Sequence, residues 1–277
     1  MVWSQRLVGN RLISGIAPSK FKEDEIGKLV EGMLERKTPF GKPLEYVAAK
    51  ATVWMPYYKI RMEYWRSREE PIGKTDEKVP AETALNAMFC GCVNGESELL
   101  MIFRPNYLRH EAVTIVPSAD EFVGPASRVD FEGILSGLVK KVNEVESELS
   151  RLRSTLSKNY ARKRRFSMLL PMGNLREEKD LSERIAKLDA LRNTIRMCLN
   201  ISEEAGAIEV LDYDTFYYPV SVFLLKHREN GNQRFLIVNL VKAEAMLPRP
   251  SYDISLTRLC NKNNECGKLV AAAVAGS

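Results

Sequence analysis

Histidine is nearly absent from this chain: only His110 and His227 occur in 277 residues. Schemes that pair a serine or cysteine nucleophile with a histidine base, or that gather several histidines round a metal, have almost no candidates. Cysteine is scarce as well, and odd in number: Cys90, Cys92, Cys198, Cys260 and Cys266. That count argues against a secreted disulfide framework and for a reducing, cytoplasmic setting. No apolar run reaches the ~18 residues that a membrane-spanning helix needs, so no transmembrane segment is expected. Val2 to Ala17 is interrupted by Arg6, Asn10 and Arg11, which leaves no apolar stretch for a signal peptide. The apolar tail Leu269 to Ala275 is too short to cross a bilayer.

Motifs for chemistry are also missing. Gly73-Lys74-Thr75 ends like a phosphate-binding loop, but the glycine required five residues earlier is Arg68, and Glu69-Glu70 would repel phosphate. Asp212-Tyr213-Asp214-Thr215 has adjacent Asp and Thr where the phosphatase-like aspartate pair has a residue between them. It reads as an acidic bend beside a strand. Cys90-Gly91-Cys92 and Cys260 with Cys266 supply four thiolates for zinc on paper, but structural sites use tighter knuckles. Cys90 and Cys92, at i and i+2 of a strand, read as core thiols. No metal or cofactor is called for.

What is present is a heptad seam. Leu135, Leu138, Val142, Val145, Leu149, Leu152 and Leu156 follow at alternating spacings of 3 and 4. A second run, Asp180 to Leu199, carries Leu181, Ile185, Leu188, Leu191, Ile195 and Leu199. Together they predict a long antiparallel coiled-coil hairpin, its first helix spanning Phe131 to Tyr160 with Asp130 as cap.

The flanking segments read as helix and strand. A helix is expected from Ser19, with Ile26, Leu29, Val30, Met33 and Leu34 on one face. Leu44 to Arg66 reads as strand and Arg68 to Pro80 as a polar loop. Ala84–Val93 and Glu98–Phe103 read as a hairpin turning at Asn94-Gly95. Ala112 to Val116 is a further strand. After the coiled coil, Ile208–Arg228 and Arg234–Val241 read as strands about Asn230-Gly231, and a short helix spans Asp253 to Asn261. Apolar residues on both faces of Val220 to Leu225 mark a central strand.

The two strand-rich halves resemble each other loosely. Thr52-Val53-Trp54-Met55-Pro56 stands against Thr215-Phe216-Tyr217-Tyr218-Pro219. Chance recurrence and duplication both fit. The fold expected is α+β: two helix-plus-antiparallel-meander half-units joined by the hairpin. Its segments are 1–128, 129–200 and 201–277, the last packed with the first.

The chain is 45% hydrophobic and 28% charged, enough apolar residue for one or two cored domains. A net charge of +5 permits nucleic acid or an anionic membrane as partner without requiring either. Two surfaces stand out. The first is the tip of the hairpin, where Lys158, Arg162, Lys163, Arg164 and Arg165 precede the apolar Phe166, Met168, Leu169 and Leu170. The cations suit phosphate and the apolar residues a protein pocket. The second is the strand face Tyr57, Lys59, Arg61 and Trp65, whose interleaved aromatics and cations suit single-stranded nucleic acid, or else an edge strand guarded by charge. The leading expectation is a non-enzymatic adaptor or assembly protein acting through its coiled-coil arm. A nucleic-acid-binding protein that uses the basic arm tip and the strand face is the alternative, and an enzyme with a carboxylate metal site a second one.

Overall fold

The computed structural model describes residues 13–19, 21–70, 73–104, 110–115, 129–165, 173–201, 205–241 and 249–275, with side chains omitted at 67–70, 73–75, 162–165 and 173–175. The fold is α+β. Its elements in chain order are β1 (Ile13–Gly15), α1 (Glu23–Met33), β2 (Glu45–Glu70), β3 (Gly73–Asn86), α2 (Glu96–Met101), β4 (Val113–Ile115), α3 (Phe131–Arg165), α4 (Gly173–Leu199), β5 (Ile208–His227), β6 (Gln233–Asn239), β7 (Ser251–Tyr252), α5 (Ile254–Lys262) and α6 (Asn264–Ala275). The described strands form one mixed sheet in the order β3-β2-β5-β1-β4, with β6 on β5 and β7 on β6. β1 runs antiparallel to β4 and parallel to β5, whereas β6 is antiparallel to both β5 and β7.

Two compact units divide the chain. One holds 1–60, 84–129 and 213–277; the other holds 61–83 and 130–212. The boundaries fall inside strands β2, β3 and β5 and at 129/130.

In the first unit the core lies where β5 meets β6. Phe223, Leu225, Leu236 and Val238 are buried with Ile26 and Val30 of α1, and Leu29, Met33 and Leu34 pack at its margin. The amphipathic face read from the sequence is thus the face that packs. The helix begins at Glu23 rather than Ser19, because the Lys22 backbone N–H donates to the Glu25 carboxylate at 3.1 Å while the Ser19 N–H is committed to Leu240 O at 2.8 Å. Asp253 caps α5 by accepting from Leu256 N–H at 2.9 Å, and it also receives Arg104 Nη2 at 2.6 Å.

The chain turns from β5 to β6 with Gly231 at φ +70°. Asn230 is not in that region, so the turn is a four-residue loop closed by His227 N–H to Asn232 O rather than a two-residue one.

Three readings of this region are corrected. Asn94-Gly95 does not turn a hairpin. Gly95 is the extended N-cap of α2, with Glu96 and Glu98 in its first turn, where carboxylates meet the positive helix end. The chain still returns as expected, since Leu85 and Phe103 form an antiparallel bridge. Asn94-Gly95 therefore gives the first half no counterpart of the turn at Asn230-Gly231. Lastly, residues 87–92 are turns, not strand, and Cys92 is disulfide-bonded to Cys266 with Cα atoms 6.1 Å apart. Cys92 and Cys266 are therefore not thiols, whereas Cys90, Cys198 and Cys260 lie outside that disulfide.

In the second unit, the segment expected as a polar loop is strand. β2 continues to Glu70 and β3 starts at Gly73. Their polar residues meet across the pair: Arg66 binds Glu77, and Lys78 lies 3.3 Å from Glu63. Opposite charges replace apolar alternation as the cross-strand adhesive.

α3 and α4 pack on each other in the same unit. Asp130 caps α3, accepting from Gly133 N–H at 2.9 Å. Leu135, Leu138, Val142, Val145, Leu149 and Leu152 are buried, as the spacing predicts, while Leu156 is half-buried. α4 ends in a Schellman arrangement: Asn200 adopts φ 55°, its N–H bonds Met197 O, and Ile201 N–H reaches back to Arg196 O at 3.0 Å. The buried Ile201 side chain seals that stop.

Candidate functional site

Ion pairs bind α3 to α4. Arg153 Nη2 meets Asp189 at 2.7 Å, Arg184 meets Glu148, and both Arg192 and Arg196 meet Glu146 at 3.1 and 2.9 Å. These pairs tie positions 146–153 of α3 to positions 184–196 of α4. Arg192, Arg196 and Glu146 are each less than one-fifth exposed, which lets this cluster hold better than a surface pair. Beyond Leu152 the character of α3 changes. From Arg153 to Ala161 no residue is buried; Tyr160 is 52% exposed and Lys158 is exposed.

Arg162, Lys163, Arg164 and Arg165 lie on the last turn of α3. Phe166, Met168, Leu169 and Leu170 lie outside the described residues.

The second expected surface is rearranged. Tyr57 is fully buried, stacked on Phe216 with centroids 5.7 Å apart and edge-on to Tyr218 at 6.1 Å. It cannot serve as an outward stacking platform. The cause is that β2 lies between β3 and β5, and every residue from Val53 to Tyr58 is buried. Simple alternation begins only at Ile60. Lys59 is half-buried. Arg61 and Trp65 are exposed, in the other unit from Tyr57 and Lys59. Arg61 binds Asp212, and the Lys78 ammonium sits 5.2 Å above the Trp65 ring while bonding Glu209 at 2.7 Å. That hydrogen bond to Glu209, with a second to Glu63, raises the Lys78 pKa. Arg61 and Lys78 thus face three carboxylates, a balance unfavourable for phosphate.

A groove of about 460 Å³ runs along α3 beside the start of β5, lined by Val139, Asn143, Ser147, Gly206, Ala207 and Ile208, with Lys140 and Glu144 also on its wall. Asn143 donates to Ala205 O at 3.2 Å, and Gly206 N–H bonds Trp65 O at 2.6 Å, which fixes this segment against β2. The size suits a small molecule.

The thiols are poorly placed for nucleophilic work. Burial pushes Cys90 up to about 11 and Cys260 higher still, so both stay protonated near neutrality. The Cys92–Cys266 bond takes two of the four thiolates that a zinc site would have used. Among the described residues no three His, Cys, Asp or Glu side chains are grouped to hold a metal ion, and no helix is long and apolar enough to cross a membrane.

Compared with family models, with curated proteins and with solved structures, the chain matches none.

Proposed function

We propose that this chain is a non-enzymatic adaptor or assembly protein that engages a protein partner through a coiled-coil arm formed by α3 and α4. The observation that carries the reading is the contrast along α3. Its first half buries six seam residues, whereas the stretch from Arg153 to Ala161 buries none although the helix continues to Arg165. A charged helix so extended is costly to keep as a lone structure, and a partner that covers it accounts for its length. The ion pairs with α4 make the arm a stiff presenter rather than a tether.

The cations from Lys158 to Arg165 and the following Phe166, Met168, Leu169 and Leu170 are the contact surface in this reading. The nucleic-acid alternative loses support from the strand face, where Tyr57 is buried and Arg61 and Lys78 are matched by carboxylates.

The test is to co-purify the partner with the intact chain and measure the affinity of two variants for it. Replacing Leu169 and Leu170 with Ser should weaken binding and leave its salt dependence unchanged. Replacing Arg162, Lys163, Arg164 and Arg165 with Ser should flatten the salt dependence. Normal binding by both variants would sink the proposal. A partner that is nucleic acid, with affinity falling steeply in salt, would favour the alternative.

A further inference from the structure

Phe40 is 100% exposed. It is not on a frayed end. Thr38, Pro39, Phe40 and Gly41 form a tight turn closed by Gly41 N–H to Thr38 O at 2.9 Å. Arg36 locks the turn from below, donating to Gly41 O at 2.9 Å and to Glu31 O at 3.2 Å. An Arg36–Pro43 bridge and Leu44 N–H to Glu35 O hold its two stems together. The tightness of the turn uses Gly41, where a Cβ would lie 2.6 Å from Thr38 Oγ1. A large apolar ring is therefore held in water on a preorganised post, which wastes its transfer free energy unless something covers it.

The surroundings are cationic. From Arg36 to Leu44 the sequence has three cations, Arg36, Lys37 and Lys42, and no acid. On the same edge Arg228 N–H bonds Leu44 O, and the Arg228 guanidinium stands 5.2 Å over the ring of Tyr46, which is 37% exposed. Glu31, Glu35 and Glu229 are exposed acids near this edge, and Glu45 is buried against Arg234.

We propose that the Thr38–Gly41 turn docks this protein on an anionic lipid surface, Phe40 entering the interface while Lys37 and Lys42 meet the negative headgroups. Three features favour lipid over a protein pocket. The turn itself offers only Phe40 and Pro39 as exposed apolar side chains, too few to fill the core of a protein interface. Its flanking residues are lysines, which protein interfaces deplete and anionic membrane surfaces attract. A soft surface needs no matching cavity, only an apolar wedge and charge of the right sign. A single-stranded nucleic acid is less suited, because one isolated ring offers no succession of stacking platforms. One wedge with two cations gives weak, reversible binding, the regime in which a second signal decides residence.

The experiment is flotation of the full chain with phosphatidylcholine vesicles and with phosphatidylcholine–phosphatidylserine vesicles. Wild type should float with the second and stay behind with the first. Phe40→Ala should lower the partition coefficient about tenfold, and Phe40→Leu should keep most of it. Replacing Lys37 and Lys42 with Ser should lower it roughly 25-fold, about fivefold per cation. All variants should melt as wild type does, since none of these side chains is buried. Absence of flotation with either vesicle overturns the proposal and leaves a protein pocket as the better occupant. Flotation that Phe40→Ala leaves unchanged overturns it too, by placing the membrane contact elsewhere, such as the cations of 162–165.

Discussion

Glu45 and Arg234, 189 positions apart in the chain, meet in a two-pronged ion pair: Nε to Oε1 at 2.7 Å and Nη2 to Oε2 at 2.6 Å. Glu45 is 5% exposed, and its second oxygen also accepts the Glu35 N–H at 2.7 Å. Arg234 in turn donates to Met33 O at 2.9 Å, satisfying a carbonyl at the end of α1. One pair thus fastens the helix end to β2 and β6.

That pair should make the fold acid-sensitive. The hydrogen bond from Arg234 holds the Glu45 carboxyl below its usual value of 4.5. A carboxyl depressed by folding contributes its stability above the unfolded value and loses it as pH falls through the lower folded value. Glu45→Gln should cost about 3 kcal/mol at neutral pH, because Arg234 is left without its counter-charge. Its urea stability should also fall less steeply than wild type below about pH 5. Parallel pH profiles for the two proteins would show that Glu45 titrates alike in both states.

The seam should be graded along α3. Leu149 is fully buried and Leu156 only half-buried. Leu149→Ala should cost roughly 2–5 kcal/mol and Leu156→Ala clearly less. Equal losses in chemical denaturation would mean that the distal seam is as well covered as the proximal one.

Gly231 should resist substitution. Its φ of +70° lies where a β-branched residue is strained, although no side chain crowds it closer than 4.0 Å. Gly231→Val should therefore destabilise through backbone strain alone, by about 1–3 kcal/mol. An unchanged melting temperature would contradict the turn geometry.

The Cys92–Cys266 bond closes a loop of 174 residues. Reduction should lower stability by about 2–5 kcal/mol, and Cys266→Ser should reproduce the loss without reductant. Mass spectrometry of the alkylated chain should find this pair protected and Cys90 modifiable after unfolding. Alkylation of Cys92 in the native, unreduced protein would refute the pairing.

Legibility in the sequence followed burial. The α3 seam and the two-faced apolar run of β5 were readable because each buries a periodic set of side chains. The Asn230-Gly231 turn was readable because glycine alone relieves its φ. Elsewhere the deciding partner lay far along the chain. The strands either side of residue 70 hold polar side chains that satisfy one another, Arg66 with Glu77 and Lys78 with Glu63, so no apolar alternation announces them. Asn94-Gly95 serves a hairpin or a helix start equally, and the acids after it tip the choice to helix. Tyr57 took the wrong side because Phe216 and Tyr218 cover a face that local alternation assigns to solvent. Cys92 carries no mark of Cys266. The exposure of Phe40 follows from a turn held by the Gly41 N–H and the Arg36 side chain, which composition does not encode.

The place of β5 beside β2 has a consequence for biosynthesis. Phe216 leaves the ribosome ~160 residues after Tyr57, an interval of roughly 8–30 s at common elongation rates. During that interval β2 can pair with β3, but its other edge, running past Val53, Trp54 and Met55, has no strand to receive it. The nascent chain must carry an apolar, unpaired edge until the ~160 residues between Tyr57 and Phe216 have been translated. Holding that edge off from neighbouring chains is a task for chaperones at the exit tunnel, and faster translation would shorten the exposure.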